Sequence, residues 1–325
     1  MTLARRRLLQ LTAGAVATAG FASSVRAQGY PNRPIRLIVG FPAGGSADIF
    51  ARLVTQRLSE TLGQPVIVEN RAGAVTNLAT ELAARAEPDG YTLLFVVTVN
   101  AINATFYDSL KFDFLRDFTL VAGVAIVPNV LNVNPSIPAR TVPEFIAYAK
   151  ANPGKLNMAS TGNGTSIHLA GELFKSMTGT NLVHVPYRSP PQAMTDLIAG
   201  EVQVMFDVMT QSLGHVRAGR LRALAVTTAA RSEQLPDVPP LADFVPGYEA
   251  SSWNGISAPR GTPSDIVERL NREIIAALNH PPIKERVASG GGTAFTLSPA
   301  DFAKFIAAET EKWGKLVRAL NLKAE

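Results

Sequence analysis

Short apolar runs alternate along the chain with longer amphipathic segments, and this alternation limits the folds open to it. The runs are five to seven residues long and almost continuously apolar, which is typical of strands in a sheet that is covered on both faces. They lie at 35–39, 65–70, 91–97, 129–133, 156–160, 182–187, 202–206 and 221–226. Strands that alternate with helices predict an α/β protein built on parallel sheets.

The amphipathic segments carry readable helix signals. In segment 46–62 the apolar residues recur at helical spacing and form one stripe. The members of this stripe are Ile49, Phe50, Leu53, Val54 and Leu58. Thr141 and Glu144 form a capping box at the start of another helix. The last two helical segments begin with Thr262-Pro263 and Ser298-Pro299, which suits a cap followed by proline at the first helical position.

Eight strands are more than one small sheet needs, so we expect two α/β lobes with a ligand cleft between them. The chain is expected to cross between lobes twice, first in the proline-bounded stretch 127–138 and again near 249–259. The predicted organisation is a leader at 1–27, a first lobe formed by 28–128 and 251–325, and a second lobe with crossing segments at 129–250.

The first 27 residues have the layout of an export signal. Arg5, Arg6 and Arg7 precede an apolar run, and Val25-Arg26-Ala27 suits a cleavage site. A membrane anchor is the alternative, but the run is short, rich in Ala, Gly and Thr, and followed by no stop-transfer charges. We therefore expect export to the periplasm and cleavage near Ala27. The arginine cluster leaves both the twin-arginine and the general secretory route open.

Charge and cysteine content exclude several classes of protein. The whole chain has a formal charge of +5, but the leader holds four arginines and no acid, which leaves +1 after cleavage. No basic run remains to mark a nucleic-acid surface. The absence of cysteine excludes disulfides, thiolate metal sites and cysteine nucleophiles. The four histidines show no metal-binding spacing, so neither a metal nor another cofactor is expected.

A glycine turn follows the first predicted strand in the stretch GFPAGGSAD, residues 40–48. It lacks the Lys-Ser/Thr pair of a Walker loop and the G-x-G-x-x-G spacing of a dinucleotide fingerprint. What remains is a helix N-terminus, where free backbone N–H groups and the helix dipole favour a small anion. The alternative is a glycine corner with Asp48 as a stabilising first-turn acid.

A second loop repeats this design. The strand at 156–160 leads into STGNGT, residues 160–165, and then into an amphipathic helix. Neither loop contains Lys or Arg, so an anion there would be held by N–H groups and hydroxyls. With one loop in each lobe, both are expected to hold the same carboxylate.

Motifs along almost the whole exported chain resemble one family of receptors. They include YPNRPIRLIVGFPAGGSADIFARLV, GQPVIVENRAG, PDGYTLL, NPGKLNMASTGNGTSIHLAGELF, VHVPYR and YEASSWNGISAPRGTP, in this order. The chain resembles the Bug receptors, the periplasmic solute-binding proteins of tripartite tricarboxylate transporters. The resemblance implies a two-lobe, type II periplasmic-binding-protein fold and a monomer without enzymatic activity. It also implies that the protein binds a small carboxylate and delivers it to membrane transporter subunits.

The resemblance also implies which residues bind the ligand. In the family the two strand-to-helix loops hold one carboxylate, partly through water, and an aspartate at a strand end usually faces the cleft. The matching positions are Phe41, Ala43, Gly44, Asp48, Ser160, Gly162, Asn163, Gly164, Thr165 and Asp207.

Departures from the family pattern fall outside these loops. Val75-Thr76 replaces a common Gly-Gly, Asn100 replaces a histidine, and Arg188 replaces a lysine. The residues after Asp207 also differ. The carboxylate clamp is therefore expected to be kept while the distal pocket is altered, and the identity of the solute does not carry over.

Two alternatives bear on function. A periplasmic sensor module would bind the same ligand but dock a signalling protein. A hydrolase would need a triad such as Ser166, His168 and Asp207, but no nucleophile elbow is present, and Ser166 and His168 face different directions on a helix.

For His168, burial or a local cap is the favoured role. Asp48 beside a bound carboxylate would require a bridging water or a ligand ammonium, unless it only stabilises its helix.

Overall fold

Two mixed β-sheets and the helices packed on them make up the chain in this computed structural model, which describes residues 29–324. From Arg33 onward the chain forms one compact unit. The predicted leader at 1–27 lies outside the described residues.

The strands are β1 (Ile35–Val39), β2 (Val66–Asn70), β3 (Thr92–Val97), β4 (Phe118–Val127), β5 (Asn129–Val133), β6 (Leu156–Ser160), β7 (Leu182–Pro186), β8 (Val204–Val208), β9 (Arg222–Val226), β10 (Ser252–Pro259) and β11 (Thr293–Ala294). The helices are α1 (Ser46–Leu62), α2 (Asn77–Ala84), α3 (Thr98–Phe106), α4 (Val142–Ala151), α5 (Ser166–Thr178), α6 (Pro190–Ala199), α7 (Met209–Arg217), α8 (Ser264–Asn279), α9 (Pro281–Ser289) and α10 (Pro299–Ala319).

The sheets combine parallel and antiparallel pairs. The first has the order β11-β4-β10-β3-β1-β2, and the second has the order β7-β6-β8-β5-β9. β1 is parallel to β2 and β3, and β6 is parallel to β7 and β8. The α/β class is as predicted, but the expectation of parallel sheets is wrong in part. The two strands that carry the chain from one sheet to the other, β5 and β10, run antiparallel to both of their neighbours.

Three strands of the first sheet were not among the predicted runs. β4 contains Gly123 and two alanines, and its pairing with β10 is interrupted by register shifts, so its sequence lacks a clear strand pattern. β10 and the two-residue β11 complete this part of the sheet. The chain leaves β4 through Pro128 into β5, and it returns to the first sheet at β10.

The strands that cross between the sheets are bonded to each other through side chains. The N–H of Asn129 in β5 donates to the Thr227 hydroxyl at 2.8 Å. The Ser252 hydroxyl in β10 donates to the Asn129 side-chain oxygen at 2.9 Å. The Ser252–Asn129 bond joins the two crossing strands, and the Thr227 bond ties β5 to the end of β9.

Helix packing follows the predicted stripes, with one exception. Phe50, Leu53, Val54 and Leu58 of α1 are buried as expected, whereas Ile49 is 46 % exposed. The C-terminal helix α10 serves two cores. Its residues Phe302 and Ile306 pack in the core beside the first sheet, here called the first core. Its residues Trp313 and Val317 pack in the core beside the second sheet, the second core.

A turn of left-handed backbone precedes α2. Val75 has φ 48° and Thr76 has φ 74°, and the N–H of Asn77 donates to the Ala74 carbonyl at 3.1 Å, as in a type I′ turn. β-Branched residues are strained in this region of backbone conformation. The Asn103 side chain donates to the Val75 carbonyl at 2.7 Å and helps to hold the turn in place.

Replacing Val75 by Gly should stabilise the protein. Relief of about 2 kcal/mol of backbone strain exceeds the entropic cost of glycine in the unfolded chain, about 1 kcal/mol, so we expect a net gain of about 1 kcal/mol in the free energy of unfolding. Urea denaturation measures it. Thr76→Gly is the matched control, because Thr76 is buried against Gly40 and its loss removes packing as well as strain. A Val75→Gly variant less stable than the natural chain would contradict this account.

Candidate functional site

The first loop joins β1 to α1 and is organised around Asp48. The Asp48 side chain is only 5 % exposed. Its carboxylate accepts hydrogen bonds from the Gly44 N–H at 3.0 Å, from Arg52 Nε at 2.9 Å and from Asn70 Nδ2 at 2.9 Å. Asn70 also donates to the Phe41 carbonyl at 3.0 Å. One carboxylate therefore ties both ends of the loop to α1 and to the end of β2.

The charge of Asp48 is balanced within the protein. Burial opposes ionisation, but the hydrogen bonds from Arg52, the Gly44 N–H and Asn70 outweigh it and hold the pKa of Asp48 below its usual range. Arg52, and not a water or a ligand ammonium as expected from the sequence, is the group that balances Asp48. The spacing of four residues on one helix is the signal that would have found this pair.

The start of α1 leaves backbone donors unused. Its N-cap is Gly45, which provides no side-chain acceptor. Among the described residues, no acceptor receives the N–H groups of Ser46, Ala47 or Asp48, as expected for a first helical turn without a cap. These donors carry the positive end of the helix dipole.

The second loop joins β6 to α5 and is tightly bonded within itself. Thr165 caps α5, because its hydroxyl accepts the His168 N–H at 3.3 Å and donates to the Gly162 carbonyl at 2.8 Å. The Gly162 N–H donates to the Ser160 hydroxyl at 3.1 Å. The Gly164 N–H donates to His168 Nδ1 at 3.1 Å.

These internal bonds determine which donors of the second loop remain for a ligand. Within the described part of the chain, the N–H groups of Asn163, Ser166 and Ile167 have no acceptor. Gly164 has φ +75°, and a Cβ atom there would lie 2.8 Å from the Phe106 ring. Gly164 is therefore buried against α3 and belongs to the packed core of the site, whereas Gly44, with φ +84°, is exposed and has nothing within 4 Å of a Cβ position.

Asp207 lies in β8 and is fully buried. Alternation along β8 places Asp207 with Met205 on the face opposite Val204 and Phe206, which belong to the second core. Neither carboxylate oxygen has a hydrogen-bond partner among the described residues. Burial raises the pKa of Asp207 to about 7, against a weaker opposing effect of the Val208 backbone. Most of the hydrogen-bonding capacity of the Asp207 carboxyl group is therefore unused within residues 29–324.

Ser166, His168 and Asp207 do not form a catalytic triad. His168 is buried and accepts from Gly164, in agreement with the expected role as a local cap. The Ser166 hydroxyl lies 3.1 Å from that of Ser252 in β10. Among residues 29–324, neither Ser166 nor Asp207 is hydrogen-bonded to His168.

Asn100, which the sequence analysis expected to mark an altered pocket, has a structural role. It is 3 % exposed, its side-chain oxygen accepts the Val97 N–H at 2.8 Å, and its amide donates to the Thr80 hydroxyl at 2.8 Å. It therefore caps α3 and ties this helix to α2, while Arg188 is exposed.

A cavity of about 240 Å³ lies beside α1 and is bordered by α1, α7 and the end of α9. Thr210, at the start of α7 after β8, closes it on one side and donates to the Gly290 carbonyl at 2.8 Å. Its lining is Ile49, Phe50, Arg52, Leu53, Gln56, Thr210, Arg286 and Gly290. None of the ten predicted ligand-binding residues lines this cavity, so the candidate site rests on the donors of the two loops.

The described residues show neither a metal-binding cluster nor a membrane-spanning helix. Residues 29–324 contain no group of three or more metal-ligating side chains. No helix in the same range is long and apolar enough to cross a membrane.

Comparison with known proteins places this chain in a family. Residues 50–322 match the sequence model of the tripartite tricarboxylate transporter family receptor. BugT of Bordetella pertussis is 38 % identical over 98 % of this chain and 98 % of its own length. An R. palustris protein solved with adipate has a TM-score of 0.85 at 36 % identity and covers 90 % of this chain and 99 % of its own. MatC from Rhodopseudomonas palustris, solved with bound malate, has a TM-score of 0.81 at 30 % identity. The match covers 89 % of this chain and 100 % of the MatC chain.

The fold and these matches define a periplasmic binding protein of two lobes. The chain belongs to the family of tripartite tricarboxylate transporter receptors, which includes the Bug proteins. This is a family of binding receptors, not of enzymes.

Proposed function

We propose that the protein captures a small organic carboxylate in the periplasm and delivers it to a membrane transporter of the tripartite tricarboxylate type. The observation that carries the proposal is the pair of strand-to-helix loops, each of which leaves backbone N–H groups at a helix N-terminus without an acceptor. Relatives solved with adipate and malate support the carboxylate class. Export as a leader-bearing precursor that is cleaved near Ala27 is part of this proposal.

The ten predicted residues have different roles in the proposed site: some shape the loops and others contact the solute. The N–H groups of Gly44 and Gly164 donate to acceptors inside the protein, so these two glycines shape the loops. The N–H groups of Ser46, Ala47 and Asn163 are then the ones that donate to the solute carboxylate. Asp48 acts through its carboxylate as an organiser of the first loop, and Arg52 cancels its charge. This arrangement removes the need for a cation in the ligand beside Asp48.

The remaining predicted residues line the same proposed site. Phe41 and Ala43 would border the solute from the first loop. Ser160, Gly162 and Thr165 would hold the second loop in shape. Asp207 would contact the solute from the second lobe, directly or through water, because its buried oxygens have no partner among the described residues.

Removing a single backbone donor tests this proposal. Ser46 is the first helical residue of α1, and Gly45 before it has φ −78° and ψ 169°, a conformation that proline tolerates in the residue it follows. Ser46→Pro should therefore fold normally while it deletes one N–H. We expect its affinity for the bound carboxylate to fall roughly 10- to 100-fold, the value of a hydrogen bond to a charged group.

The matched control is Ser46→Ala, which removes the hydroxyl but keeps the N–H. Calorimetry with adipate and malate as probes compares the two variants, and circular dichroism confirms folding. Equal affinity in Ser46→Pro and Ser46→Ala would remove the start of α1 from the site. Recovery of the probe chemically unchanged after release distinguishes a receptor from an enzyme.

A further inference from the structure

Two histidines from different elements meet behind the second loop. His168 lies in the first turn of α5, and His184 lies in β7, the strand next to β6. Their rings are stacked, with centroids 3.9 Å apart and an interplanar angle of 20°. Ring-on-ring contact of this kind between neutral imidazoles packs well, whereas two imidazolium ions would repel each other at this distance.

Each ring bonds to a different part of the loop. His168 Nδ1 accepts the Gly164 N–H at 3.1 Å. His184 Nε2 lies 2.6 Å from the Ser160 hydroxyl, which in turn accepts the Gly162 N–H at 3.1 Å. The pair thus reaches both ends of the loop, and it does so at two glycines with positive φ, Gly162 at 118° and Gly164 at 75°.

The geometry determines the protonation of His168. A ring nitrogen that accepts an N–H carries no proton, so the proton of neutral His168 is on Nε2, which lies 3.7 Å from Glu172 Oε1. Glu172 is bonded to Lys175 at 2.7 Å. Burial, then His184, then Lys175 lower the pKa of His168 to about 3, and burial followed by Lys175 lowers that of His184 to about 4. Phe106 packs edge-on against His168 from α3 and brings no charge.

We propose that His168 and His184 are positioning residues for solute binding: the stacked neutral pair holds Gly164 and Ser160 so that the neighbouring N–H groups of Asn163 and Ser166 stay available for the carboxylate. The inference rests on the proposed function of the loop. Neither ring has to touch the solute. The acceptor at Nδ1 of His168 is the essential feature, because it binds the Gly164 N–H and so fixes the backbone conformation at Gly164.

The test distinguishes a role of His168 as a hydrogen-bond acceptor from a role in packing alone. His168→Leu keeps the volume but removes the acceptor, and His168→Asn keeps an oxygen close to the position of Nδ1. His184→Leu and His184→Gln form the corresponding pair for Ser160. His280, which lies between α8 and α9 and bonds to no residue of the loop, provides the control His280→Leu.

Amide hydrogen exchange of residues 160–166 and calorimetry with adipate and malate are the two readouts. In His168→Leu we expect amide exchange at Gly164 to be at least tenfold faster and affinity for the probe to be at least tenfold weaker. His168→Asn should restore both quantities toward the natural values. His280→Leu should change neither. Unchanged exchange and affinity in His168→Leu, or equal losses in Leu and Asn variants, would overturn the inference. If the natural protein binds neither probe, the proposed function fails for these acids, and exchange at Gly164 still decides whether His168 holds the loop.

Discussion

Replacing Asp207 by Asn is expected to raise the free energy of unfolding at pH 8 by about 4 kcal/mol and to change it little below pH 4. Burial raises the pKa of Asp207 to about 7 from an ordinary value of 3.8. Between these two values the folded protein keeps a proton that the unfolded chain has released, so stability falls as the pH rises. Each pH unit costs about 1.4 kcal/mol over this window, and the loss levels off above pH 7.

The asparagine variant removes this titration and keeps the shape of the side chain. Urea denaturation from pH 4 to pH 8 should therefore show a falling stability for the natural chain and a flatter profile for Asp207→Asn. Asp237→Asn, at an exposed aspartate in the loop after β9, is the matched control and should follow the natural profile. Coincident profiles for the natural chain and Asp207→Asn would show that Asp207 is neither desolvated nor unpartnered in solution.

Replacing Glu309 by Ala is expected to destabilise the protein by about 3 kcal/mol or more. Glu309 lies in the middle of α10, where Glu309 Oε2 accepts the indole N–H of Trp253 at 2.8 Å and that of Trp313 at 2.9 Å. Trp253 belongs to the first core and Trp313 to the second. The alanine variant leaves two buried N–H donors without an acceptor and opens a cavity between them, which accounts for the size of the loss.

A neighbouring glutamate on the same helix provides the control. Glu311 is exposed and pairs with the exposed Lys315, so Glu311→Ala should have little effect on unfolding. Glu309→Gln keeps one oxygen for the indoles and should lie between the alanine variant and the natural chain. Equal stability of Glu309→Ala and Glu311→Ala would contradict the view that Glu309 ties the two cores together.

Most of the fold could be read from local patterns. Seven of the eight predicted runs overlap closely with strands, and the run at 202–206 is displaced by two residues relative to β8, because Asp207 interrupts the apolar pattern inside a buried strand. β4 was missed because glycine and alanine dilute its strand signal. The mixed sheets could not be predicted, since strand direction depends on where the chain crosses between sheets and not on any local run.

The candidate site was predictable at the level of loops but not of individual bonds. The glycine turns and helix starts mark both loops in the sequence. The use of the Gly44 and Gly164 N–H groups by Asp48 and His168 depends on backbone angles that the sequence does not display. The pairing of His168 with His184 joins residues from α5 and β7, and Glu309 bonds to a tryptophan 56 residues away, so both require the tertiary structure.

Calorimetric titration of the leader-free protein with adipate, malate and their neutral diamides tests the central claim most directly. If backbone donors at the two helix N-termini hold a carboxylate, at least one acid should bind saturably in a one-to-one complex, and its diamide should bind at least tenfold more weakly because it lacks the charge that these donors stabilise. Binding of a diamide as tight as that of its acid, or no binding of either acid, would contradict the account for these ligands.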